Sequence, residues 1–267
     1  MPAFERVNAV VSVILIGLAL YFVLDFPQET TAFTLFGSPL DLVSPRQWLM
    51  VLLLAGLAMA GADAVVRAHP HLPSRRLSYL ATFWSLPGLL VVLATQTLGL
   101  APTPIIWAVG LGVFGLLLWV TLAISYRQIS PRSILNLGPR LWRQFVGYAV
   151  VLAFFIVIYQ TRSRSAISAS AILLVSGLAA LDLLRQLPEQ IGKTWLLAAV
   201  IGLSMGQLTW ALNYWRTGAL NAGLLLFLVF YLLVGLAQQQ LMGTLSRRTL
   251  WEFGAIASVA LLVIFNL

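Results

Sequence analysis

The residues of this sequence that could do chemistry are few, and they come in pairs. Asp63 is followed by Arg67, and Asp182 by Arg185. On a helix, spacings of four and three put carboxylate and guanidinium on one face, a turn apart. Such a couple could gate a vestibule or hold a polar headgroup. It is equally an ion pair that lets a carboxylate sit near a membrane surface while the arginine stem reaches back toward water. The structural reading is favoured, because each couple stands at the end of an apolar run. Gln96 with Thr95 and Thr97, and Gln207 with Thr209 and Asn213, form a second set. Amides and hydroxyls on neighbouring helices either line a small polar cavity or bond across the helix interface, at roughly 1 kcal/mol each. His69 and His71, in RAHPHLP, supply two imidazoles without a third ligand at a defined spacing, so a metal site is not expected.

Ionisable groups in hydrocarbon are costly and mark function where they occur. No Asp, Glu, Lys, Arg or His falls at the middle of an apolar run, and the single lysine, Lys193, precedes one. A proton relay, an ion site built on a buried carboxylate or a Schiff base would have no mid-span residue to use. Asp25, Glu29 and Asp41 come without an acidic tandem. No catalytic residue and no cofactor is therefore assigned. Cysteine is absent, which removes disulfides, thiolate nucleophiles and Cys-ligated metals.

The elements that must position these groups are membrane spans. Of 267 residues, 60% are hydrophobic and 9% charged, where a soluble domain carries about 25% charged residues; the mean hydropathy is +0.95. Apolar runs long enough to cross a bilayer cover 7–26, 48–66, 79–99, 104–125, 144–160, 166–184, 195–213, 218–238 and 251–266. Hydrocarbon leaves no partner for an open backbone, so each run is expected to be helical. The first run is too long for a signal-peptide core and lacks a small-residue cleavage site, so it reads as a retained span. Positions 1–267 thus form one polytopic, all-α membrane domain of about nine spans.

The net charge of +8 does not point to nucleic acid, because the basic residues are dispersed among short loops rather than gathered on one soluble face. With loops assigned alternately to two sides, twelve Lys and Arg fall on one side. Only Arg46, Arg162, Arg164 and Arg216 fall on the other. The positive-inside rule then places the N-terminus in the cytoplasm and the C-terminus outside. The expected partners are membrane lipids, including anionic headgroups at the cytoplasmic face, and a membrane protein. In the longest outer connection, Phe33, Leu35, Leu40 and Leu42 are spaced around Gly37-Ser38-Pro39. That spacing predicts a hairpin or an amphipathic segment, with an ordinary loop as the alternative.

Sliding the chain on itself by 111 residues superposes Trp84 on Trp195, Gln96 on Gln207, Gly112 on Gly223 and Gln128 on Gln239. The Asp63 and Asp182 segments also align if a short gap is allowed. Two parallel four-helix repeats, 7–125 and 144–238, followed by a final helix 251–266, would account for both observations. Shared Leu and Ala alone would not, since all spans are rich in them.

The strings TAFTLFGSPL (31–40) and AGADAVVRAHP (60–70) resemble members of an uncharacterised family of bacterial polytopic membrane proteins, a domain of unknown function. The likeness is clearest over the first quarter, and it implies no activity, cofactor or catalytic residue. Two functions remain. One is a non-catalytic accessory subunit or scaffold of the cytoplasmic membrane. The alternative is a small-molecule or lipid permease with a polar cavity near Gln96 and Gln207, at the outer ends of the third and seventh spans.

Overall fold

The computed structural model describes residues 3–23, 31–35, 38–42, 45–129, 137–160, 165–185, 190–215 and 218–266. Asp25 and Glu29 lie outside these residues. Among the described residues are nine helices and one hairpin: α1 (Ala3–Val23), β1 (Thr31–Leu35), β2 (Ser38–Leu42), α2 (Pro45–Arg67), α3 (Leu77–Leu98), α4 (Pro104–Gln128), α5 (Leu137–Gln160), α6 (Ser165–Leu183), α7 (Ile191–Leu212), α8 (Ala219–Met242) and α9 (Arg247–Asn266). Each expected span is a helix, with ends shifted by a few residues. The hairpin is an addition to an otherwise all-helical chain; β1 and β2 pair antiparallel from Thr31↔Leu42 to Leu35↔Ser38.

Helices α1 to α8 are each long and apolar enough to cross a membrane. Helix α9 differs in opening with Arg247, Arg248 and Glu252. Local chemistry sets several ends. At α4 the Thr103 hydroxyl accepts from the Ile106 amide at 3.3 Å, and Pro104 follows where a missing N–H costs nothing. Helix α8 stops at Gly243, whose φ of +68° suits only a residue without a side chain, and its N–H closes on Gln239 and Gln240 carbonyls.

Successive helices run up and down. Within the first four, α1 lies against α2 and α4, and α3 against the same two. Within the next four, α5 lies against α6 and α8, and α7 against the same two. Helix α3 joins the sets by also packing on α5 and α6. Its position is central: 72% of its apolar stretch is buried, against 22% for α1 and for α4. One aliphatic core runs through α1 to α8, with Ile14, Leu18, Leu90, Leu122, Phe155, Ile172 and Phe230 fully enclosed. Exposed leucines and valines cover the outside, as lipid permits.

The closest helix approach is between α6 and α7. A Cβ on Gly202 would stand 2.9 Å from the Leu173 carbonyl oxygen and 3.2 Å from the Gly177 Cα. Backbone against backbone leaves nothing that can swing aside. Gly56, on α2, has open space instead. Gly202→Ala is expected to destabilise by about 1–3 kcal/mol through overpacking, whereas Gly56→Ala loses nothing. Thermal unfolding of the two purified variants in one detergent checks the contrast, and equal melting temperatures would refute the close approach.

Candidate functional site

The up-and-down order brings the ends of α2, α4, α6 and α8 together with the starts of α1, α3, α5, α7 and α9. Contacts confirm the meeting: Arg127 lies 5.4 Å over the Phe4 ring, His69 packs edge-on against Tyr126 at 4.6 Å, and the Trp195 indole donates to the Ser78 carbonyl at 3.0 Å. This is the arginine-rich end of the bundle, and both Asp-Arg couples stand there.

The two couples share a sequence pattern but not an environment. Arg67 Nε donates to Asp63 Oδ2 at 2.6 Å, and the Trp84 indole N–H reaches Asp63 Oδ1 at 3.2 Å from α3. Both carboxylate oxygens are thus engaged, while the Arg67 side chain keeps 44% of its surface exposed. Arg67 reaches outward in the manner its position suggested. Arg185 turns inward instead. Its side chain is 4% exposed and that of Asp182 is 3% exposed, with Arg185 Nη1 donating to Asp182 Oδ1 at 3.2 Å.

Burial of the second couple works because α3 and α4 supply partners. Arg185 Nη2 donates to Gln128 Oε1 at 3.1 Å, Nη1 approaches the Thr82 carbonyl at 3.5 Å, and the guanidinium carbon sits 3.7 Å above the Phe83 ring. A planar, weakly hydrated cation over an aromatic face keeps part of what it loses on leaving water. Burial nonetheless pulls the Arg185 pKa down, to about 10, against the opposing pull of Asp182; Arg143 on α5 adds to the lowering. The guanidinium remains charged at neutral pH. From α8, the Gln238 amide donates to the Leu183 carbonyl at 3.1 Å, satisfying an acceptor at the end of α6. Asp182 Oδ2 is buried with no hydrogen-bond donor among the described residues.

This centre ties α3, α4, α6 and α8 at one level, beside a small cluster of Val66, Tyr79, Leu80, Phe83 and Ile129. Its chemistry is that of a joint, since the groups of Arg185 are turned onto neighbouring helices. Of its members, Asp182 and Arg185 were foreseen from spacing. Gln128, Phe83, Thr82 and Gln238 carry no such signal; the sequence marks Gln128 only as the residue that superposes on Gln239.

The polar residues at the other end do not converge in the same way. Thr95 donates to the Val92 carbonyl at 2.8 Å and Thr209 to the Met205 carbonyl at 2.7 Å, each within its own helix. Gln96 is half-buried on α3, whereas Gln207 is exposed on α7. Asn213 bonds across helices, donating to Ser168 Oγ at 3.0 Å.

The loop histidines also have partners. His71 N–H donates to His69 Nδ1 at 3.1 Å, which needs a lone pair on that nitrogen. His69 is buried, and burial, then the neighbouring His71, hold its pKa below the ordinary 6.5.

A family model described as "Protein of unknown function (DUF5656)" matches residues 26–267. The chain belongs to this family. The match runs far beyond the first quarter in which the resemblance was clearest, and takes in α2 to α9 with both Asp-Arg couples. Comparison with curated proteins returned no match, and neither did comparison with solved structures.

Removing Arg185 leaves a carboxylate in the interior without its cation. Arg185→Met is expected to cost on the order of 3–5 kcal/mol, and the double variant with Asp182→Leu substantially less, because both charges then leave together. Arg67→Met should cost about 0.2–1 kcal/mol, as its pair is open to solvent. Chemical denaturation in mixed micelles ranks the three; equal losses for Arg67→Met and Arg185→Met would contradict the burial difference.

His69 carries a pH dependence. The unfolded chain protonates this imidazole near pH 6.5, the folded protein only below that value, so the unfolded state binds more protons between the two. The His69 contribution is therefore complete above about pH 6.5 and is lost as pH falls toward the folded pKa. His69→Asn keeps an acceptor for the His71 N–H without a titrating ring. The melting temperature of the wild type should fall more than that of His69→Asn between about pH 7.5 and pH 5.5. Parallel curves would sink the assignment.

Proposed function

We propose that this chain is a nine-span protein of the bacterial cytoplasmic membrane that acts without catalysis, as an accessory subunit or scaffold for another membrane protein. The observation that carries this reading is the destination of its polar groups. Thr95, Thr209 and Ser85 donate to carbonyls of their own helices, Asn213 to Ser168, and Arg185 to Asp182 and Gln128. The Asn213 and Arg185 bonds tie helices together, while the three hydroxyls close on their own backbones. The competing permease reading would require Gln207, exposed on α7, to turn inward toward Gln96.

In this proposal α9 is the ninth span, its Arg247 and Arg248 at the cytoplasmic surface and its C-terminus outside. The gathering of the foreseen cytoplasmic loops at one end supports that orientation, since Arg67, Arg127 and Arg185 all stand there. We also propose that α1–α4 and α5–α8 arose by duplication. Both sets use the same helix neighbours, first on second and fourth, third on second and fourth. The aligned tryptophans have then diverged: Trp84 donates to Asp63 in its own set, Trp195 to Ser78 in the other.

Two measurements test the proposal. In intact cells, Cys at exposed position 76 should resist a membrane-impermeant maleimide and Cys at exposed position 100 should react; no native cysteine contributes background. Reversed labelling would overturn the orientation. Gentle purification from native membranes, followed by mass spectrometry, should recover a membrane protein in fixed stoichiometry. A lone chain carrying a bound small molecule would overturn the scaffold reading in favour of transport.

A further inference from the structure

A groove of about 350 Å³ lies between α4 and α5 at the arginine-rich end. Its α4 wall is a stripe at helical spacing, Trp119, Ala123 and Arg127, and its α5 wall is Gly138 and Trp142. Among the described residues the lining is apolar apart from Arg127. The volume sits at the low end for small-ligand pockets, ~300–1,000 Å³. It suits part of one hydrocarbon chain.

The wall is held in place from α1. The Trp119 indole donates to Asn8 Oδ1 at 2.7 Å, and the Phe4 ring stacks on Trp119 with centroids 6.2 Å apart while lying beneath Arg127. On the opposite side, Gly138 leaves open space where any other residue would place a Cβ. The groove is thus built from an immobilised indole, a second indole and a residue with no side chain.

Charge says what would lie there. Arg127 falls in the last turn of α4 and lines the groove with an exposed side chain. On α1, Glu5 and Arg6 adjoin each other and cancel, so the Arg127 charge stands in excess at the groove. Basic residues between helices at a membrane surface bind anionic headgroups, and guanidinium is matched to phosphate oxygens. An apolar slot with one exposed guanidinium in its wall is complementary to an anionic phospholipid.

We infer that this groove is a binding site for one anionic phospholipid, its acyl chain between Trp119 and Trp142 and its phosphate on Arg127. The inference rests on the membrane reading of the chain but not on the scaffold role, since either a subunit or a permease could carry it.

The test uses the full chain, delipidated in mild detergent and supplied with phosphatidylglycerol or phosphatidylcholine, with lipid retained per protein read by native mass spectrometry. The wild type should retain phosphatidylglycerol in preference to phosphatidylcholine. Arg127→Gln should lower phosphatidylglycerol retention about fivefold, the effect of removing one nearby cation. Gly138→Leu should lower it with every charge intact, by filling the slot, and Ala123→Leu is a second filler should the first melt below the wild type. Arg248→Gln removes the same charge from a side chain 90% exposed on α9 and should change nothing.

Each alternative has its own signature. Equal loss in Arg248→Gln would reduce the effect to general surface charge, and unchanged retention in both filler variants would empty the groove of its chain. Inorganic phosphate displacing the lipid at equal concentration would make the site a free-anion site. Cross-linking of cysteines at positions 123 and 142 between two copies would give the groove to a second chain. Any of these overturns the inference. Failure of the partner-recovery experiment leaves lipid retention untouched, so the two readings fail separately.

Discussion

A helix in hydrocarbon gains almost nothing by exchanging a lipid tail for another leucine, so helices of this chain are held in one arrangement by close packing and by the few polar bonds between them. Both devices are visible and they are separated in space. Close packing is strongest where α6 and α7 touch through Gly177, Gly202 and Gly206. Polar bonding is strongest at the arginine-rich end, where α3, α4, α6 and α8 meet around Arg185. The greasy outside is a consequence of the solvent and carries little information about which helix neighbours which.

The buried Arg185–Asp182 couple is best understood as a specifier of arrangement. Two charges removed from water recover their desolvation cost only in part, so such a pair adds little net stability. It does discriminate. Arg185 meets Gln128, Phe83 and the Thr82 carbonyl only if α3 and α4 stand at this height and rotation against α6. A slide of one turn, which an aliphatic interface would tolerate, strands a cation among hydrocarbon side chains. In the proposed duplication the first copy kept its couple at the surface, with Trp84 completing Asp63, while the second was drawn into the junction between halves.

What could be read from the sequence follows the same division. The spans were legible because twenty apolar residues in succession have one structural solution in a bilayer. The spacing of Phe33, Leu35, Leu40 and Leu42 left a hairpin, an amphipathic segment and an ordinary loop open, and the strand register, which pairs Phe33 with Leu40, decides for the hairpin. Loop arginines marked one end of the bundle because alternation is a property of the chain. Burial was not legible. Asp63–Arg67 and Asp182–Arg185 differ by one residue in spacing, yet one pair is open and the other enclosed, a difference made by α3 and α4. The glycines show the same limit: Gly56 and Gly112 meet open space, whereas Gly202 touches backbone. Periodicity tells which residues share a face, and only tertiary packing tells what that face meets. Gln96 and Gln207 superpose under a 111-residue shift, but α3 is central and α7 peripheral, so one is half-buried and the other exposed.

The separation of the two devices bears on how the molecule could respond to its surroundings. The Arg185 joint lies inside the bundle and is tied to four helices, so lipid cannot reach it without unpacking α3. The α4–α5 groove lies at the periphery, and Arg127, its only charged lining residue among those described, is exposed. Yet the two share α4: Gln128, which holds Arg185, is the next residue after Arg127. Successive residues on a helix point about 100° apart, so one turn of α4 addresses the bundle interior with one side chain and the membrane surface with the other. Any occupant that shifts the end of α4 must therefore also move an acceptor of the buried arginine.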